Sequence, residues 1–244
     1  MENITIAGSG CIGGGEYGKV SLSGAAKLLG DVRCESFSAS GSARAQGSID
    51  CAGKLSASGA FRCDGDVKAG ELRASGSTKI EGALTADDAS VSGSFSAARV
   101  HAGKLQVSGA LGCGGDVEAE SAELSGKIEI AGLLNAETVT LSPADGSLIG
   151  SIGGASVTVR GGEAESLGAR ILAEVFGMKS DGGRSGLRVG TVEGDEIDLD
   201  ATTADVVRGR SVMLRSGASA ARVEYTETLT VEEGASVGES VKVE

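Results

Sequence analysis

Seven glycines, Gly24, Gly41, Gly59, Gly76, Gly93, Gly109 and Gly126, recur at intervals of 17, 18, 17, 17, 16 and 17 residues. A second series, Gly30, Gly47, Gly65, Gly82, Gly115 and Gly132, follows six residues behind; it skips the repeat that opens at Gly93, which is the shortest. A unit of this length is too small to bury its own apolar face. Repeats of fixed short period therefore stack, each covering the next, and the result is a solenoid.

The residues around each first-series glycine say what kind. Four before it stand Val20, Phe37, Leu55, Leu72, Ala89, Leu105 and Ala122, and two before it Leu22, Ala39, Ala57, Ala74, Val91, Val107 and Leu124. Two after it stand Ala26, Ala43, Phe61, Thr78, Phe95, Leu111 and Ile128; four after it, Leu28, Ala45, Cys63, Ile80, Ala97, Cys113 and Ile130. Val32, Ile49, Val67, Leu84, Val117 and Leu134 stand eight after, and Val100 joins them if the short repeat lacks one residue just before it. This alternation has period two, the mark of strands with one face in and one out. Three short strands per turn with glycine at the corners describe a parallel β-helix, its turns ~4.8 Å apart. A single proline suits a chain whose amides nearly all donate to neighbouring turns, and 2% aromatic content suits a narrow core. The strict six-residue repeat of left-handed β-helices is absent, so the expected form is an all-β, right-handed parallel β-helix with ~17-residue turns.

The formal charge of −12 is unevenly spread. Residues 1–104 hold 11 basic and 11 acidic side chains, and the rest hold 11 basic and 23 acidic. With no basic stripe and hardly any aromatics to stack on bases, nucleic acid is not an expected partner. The first residues lack the basic and apolar regions of a signal peptide, and no apolar run approaches the ~20 residues that span a bilayer. Cys34 and Cys51 share one inward column, Cys63 and Cys113 another; without histidine partners they read as small core residues in a reducing cytoplasm.

Regular turns occupy residues 1–160, with Pro143 replacing a corner glycine 17 residues after Gly126. Residues 161–186 break the pattern. Within them Leu167, Ile171, Leu172, Val175 and Phe176 form a helical stripe over 166–178, capped by Ser166 and stopped by Gly177; it is expected to pack on the solenoid or to contact a partner. Period-two pairs resume over 187–244 at Leu187/Val189, Ile197/Leu199, Val212/Leu214, Val223/Tyr225, Leu229/Val231 and Val241/Val243.

Residues 234–243, Gly-Ala-Ser-Val-Gly-Glu-Ser-Val-Lys-Val, resemble the coil unit of bactofilins, polymer-forming bacterial cytoskeletal proteins. The run Val-Glu-Gly-Asp-Glu-Ile-Asp-Leu at 192–199, with Ala-Asp-Val-Val-Arg-Gly at 204–209 and Val-Glu-Tyr at 223–225, is similar to bactofilin-like proteins of Bacillus-type bacteria. The resemblance implies a right-handed β-helix that assembles without nucleotide or other cofactor into filaments scaffolding cell shape, motility or envelope machinery. It also allows a related chain as copolymer. The chain departs from the family in being about twice the length of a compact bactofilin core, and in lacking the Pro-rich tails and apolar N-terminal anchor of many members. Membrane association is therefore expected to be indirect at most.

Catalytic groups are hard to find. The one histidine, His101, points outward if Val100 is inward. Carboxylate clusters such as Asp64/Asp66 and Asp195/Glu196/Asp198 occur in pectinolytic β-helices, but there long loops build a cleft, and turns here are minimal up to residue 135. No enzymatic activity and no bound metal are expected. A self-polymerising scaffold is the first expectation; a non-polymeric binding module is the second. For the polymer, the expected interface is the apolar residues of the terminal turns: Ile4, Ile6 and Ile12 at one end, Leu229, Val231, Val237, Val241 and Val243 at the other.

Overall fold

The computed structural model describes residues 1–161 and 186–244, so the expected helix over 166–178 and its stripe lie outside the described residues. The thirteen strands are β1 (Glu2–Ile12), β2 (Gly15–Leu28), β3 (Val32–Ala45), β4 (Ile49–Cys63), β5 (Val67–Ile80), β6 (Ala83–Ala97), β7 (Arg99–Cys113), β8 (Val117–Pro143), β9 (Ser147–Val159), β10 (Leu187–Leu199), β11 (Thr202–Leu214), β12 (Ser219–Val231) and β13 (Ser236–Lys242). They form one sheet in strict chain order, every pair parallel. A single sheet whose neighbours are successive turns is a β-solenoid. It has about 13 turns, spaced about 17 residues apart.

Each turn has three faces, as β3 shows. Val32 and Cys34 point inward from the first, Phe37 and Ala39 from the second, Ala43 and Ala45 from the third. Every inward residue named for the seven regular repeats is buried, including Thr78 and Val100. Val100 pairs with Leu84 and Val117, so the short repeat does lack a residue before it. Across the narrow interior the rings of Phe37 and Phe61, from different faces of adjacent turns, meet edge to face at 5.9 Å.

The corner glycines are a backbone requirement. Gly41 has φ +102°, and a Cβ there would sit 2.5 Å from the carbonyl oxygen of Gly24 in the turn below. At Gly126 the next turn offers Pro143: Ala144 N–H donates to Gly126 O at 2.7 Å, so Pro143 does occupy the glycine column. Two extra residues then widen that corner before Ser147 reaches the Ile128 column, and the positive φ moves to Gly146.

The ladders run unbroken across residues 162–185. β10 pairs with β9 from Leu187–Ser147 to Leu199–Val159, so the turns on either side belong to one stack.

Candidate functional site

The end faces are where the solenoid leaves apolar columns uncovered. Among the described residues β1 pairs only with β2, and β13 only with β12, so each presents a free strand edge. Ile4 and Ile6 point into the first turn but are half-buried, whereas Ile12 is already buried. At the far end Leu229 and Val237 are half-buried against the core, and Val231 is 45% exposed. Interior valines of the same column, such as Val159, are fully buried.

Val241 and Val243 stand elsewhere than their spacing suggests. Ser240, not Val241, continues the Val223 column; Val241 is paired with Glu224, and Lys242 with Tyr225. The corner between the third and first faces takes four steps in the early turns, Leu28 to Val32, and three from Ile149–Ile152 onward, including Val237 to Ser240. One residue fewer at a corner flips every later side chain to the other face.

The outer faces carry ladders of charge. Glu16, Arg33 and Asp50 alternate in one column at 3.4 and 3.3 Å, and Glu193, Arg208 and Glu224 alternate in its continuation at 2.7 and 2.8 Å. His101 lies exposed in the same column, its Nδ1 3.3 Å from the Glu118 carboxylate.

Of the clustered carboxylates, Asp64, Asp66 and Asp198 have partners. Asp64 is gripped by Arg44 and Arg62 at 2.8 and 2.9 Å, and those hydrogen bonds hold its carboxyl below the usual range. Asp66 accepts from Ala83 N–H at 2.8 Å, as Asp31 does from Ser48 and Asp116 from Leu133. These aspartates occupy one corner column and satisfy a backbone amide of the turn above. Spacing alone did not reveal that role, although Asp31, Asp66 and Asp116 each stand seven residues after a corner glycine. Asp198 lies between Arg160 at 2.9 Å and Arg215 at 2.6 Å. Burial raises its pKa, and the two guanidinium groups outweigh burial to leave it lowered.

Cys34, Cys51, Cys63 and Cys113 are buried, and Cys11 is exposed on the first turn. A hydrogen bond to Cys51, together with burial, pushes the Cys34 thiol up, and burial pushes Cys63 up to about 11. No helix among the described residues is long and apolar enough to cross a membrane.

No family model matches the chain, and no solved structure matches it. A stretch of 49 residues, 20% of the chain, is 39% identical to an uncharacterized protein, YhbE, of Bacillus subtilis (strain 168). That stretch spans about a fifth (21%) of the relative's own length.

Proposed function

We propose that this protein is a structural one: a β-solenoid that assembles with itself, end face on end face, into nucleotide-independent filaments serving as a cytoplasmic scaffold. The observation that carries the reading is the pair of end faces. Inward columns reach both ends half-covered, with Ile4 and Ile6 at one and Leu229, Val231 and Val237 at the other, beside strand edges that no described residue pairs. Covering them removes apolar surface from water at ~25 cal/mol per Å² and pairs a whole turn of backbone amides and carbonyls. A second copy of the chain offers the same ladder spacing and can do both. The ion-paired carboxylates and the likeness of 187–244 to bactofilins support a scaffold rather than a catalyst.

The test is sedimentation and negative-stain imaging of purified protein without nucleotide. Filaments that pellet are expected. The double variant Ile6→Lys with Val231→Lys, which sets a charge in the uncovered columns, is expected to stay in the supernatant with its β-structure unchanged. A wild-type protein that remains monomeric at every salt and protein concentration would overturn the proposal and favour a binding module.

A further inference from the structure

The two end faces are different surfaces, and they match each other better than either matches itself. The column that starts at Ile4 ends at Leu229, and the one that starts at Ile6 ends at Val231. Ile12 starts the column that Val237 ends. A first turn laid on a last turn thus sets isoleucine on leucine or valine in all three columns. It also extends the parallel pairing used by every turn within the chain.

Charge separates this arrangement from contact between two last turns, a contact that any filament of like-end joints needs. Residues 211–244, the last two turns, carry three basic side chains against six acidic ones. Residues 1–34, the first two, carry three of each. Last turn on last turn would stack two such acidic ends, their charges repelling within the ~10 Å screening length of 0.1 M salt. First turn on last turn avoids that repulsion. Resting on the self-assembly proposed above, we infer that copies of this chain join head to tail, the first turn of one on the last turn of the next, giving a polar filament. In that register the overlap is confined to Met1–Asn3 and Lys242–Glu244, and one of these short tails leaves its ladder at each joint.

The exposed Cys11 provides the probe. Its column ends at Ser236, so at a head-to-tail joint the two stand on neighbouring strands, ~4.8 Å apart. That separation lies within the roughly 4.4–6.8 Å between Cα atoms that a disulfide bridges. Polymerised wild type, Ser236→Cys, and Cys11→Ser with Ser236→Cys are oxidised with diamide and run on a non-reducing denaturing gel. The other four cysteines are buried and do not compete. Head-to-tail joining predicts a ladder of covalent multimers for Ser236→Cys alone, and monomer bands for the other two. Covalent dimers of wild type would show first turn on first turn; dimers of the double variant would show last turn on last turn. Either result overturns the inference, as do sedimenting polymers with no cross-link in any of the three. Failure of all three proteins to sediment would instead defeat the self-assembly reading itself.

Discussion

A corner glycine in this chain answers to two constraints at once, and a single substitution tests them. Gly41 combines φ +102° with a carbonyl oxygen 2.5 Å from where a Cβ would lie. Gly41→Ala is therefore expected to cost ~2 kcal/mol, and for a chain of this size to lower the melting midpoint by about 4–8 °C. Gly114→Ala is the control. Its φ is not positive and the nearest atom, the oxygen of Ala98, is 3.9 Å away, so its midpoint should hold in the same calorimetric scan. The thiols give a second residue-scale outcome. The thiolate is the reactive form, and burial disfavours it. One of the five cysteines, Cys11, should react promptly with a disulfide reagent in unassembled protein, and all five in denaturant. Prompt reaction of a second thiol would mean that turns around Cys34, Cys51, Cys63 or Cys113 open readily.

At the scale of the strand, the inner columns could be read from the sequence because one physical requirement, burial of alternate side chains behind a fixed corner, repeats seven times over. What could not be read follows from corners of changed length. Pro143 was legible as a corner residue, but the two residues inserted after it were not, because Ser147 is polar and breaks the apolar column. Ser147 is fully buried: its hydroxyl accepts from Ile128 N–H at 3.1 Å and donates to Ala144 O at 2.7 Å. Ser147→Ala leaves both groups without it and should cost about 1–3 kcal/mol in chemical denaturation. The three-step corner, in place from Ile149–Ile152 onward, was hidden likewise, since Val241 and Val243 keep the alternation although Ser240 takes the inward column. At the end face, Ile4, Ile6, Leu229, Val231 and Val237 were legible as apolar column ends; the aspartate corner column was not, because its partner is a backbone amide. Between strands, Asp198 joins Arg160 of one turn to Arg215 of another. Its carboxyl is held below 3.8, the ordinary value, so its ionised form stabilises the fold above that pH, and the contribution is lost as pH falls through the lower folded value. Asp198→Asn should accordingly be less stable than wild type at pH 7. The difference should begin to close below pH 3.8 and vanish in stronger acid.

The whole molecule is one ladder with a segment let into a corner, and counting residues across that corner shows where. Val159 and Leu187 hold the inward places just before and just after the glycine column, the places held by Leu22 and Ala26 in the second turn. Three residues separate Leu22 from Ala26, with Gly24 in the middle. Joining Gly161 directly to Gly186 would leave Arg160, Gly161 and Gly186 between Val159 and Leu187: the same number, again with a glycine in the middle. Ladder pairing on both sides is already complete without residues 162–185, since β9 and β10 pair over their whole lengths. Excision of 162–185 should therefore preserve the far-ultraviolet β-signal and shift the melting midpoint by no more than a few degrees. It should also leave head-to-tail cross-linking through Ser236→Cys intact, because neither end face includes that corner. Loss of the β-signal on excision would show that the segment completes the core. A retained β-signal with lost cross-linking would place it in the joint between copies.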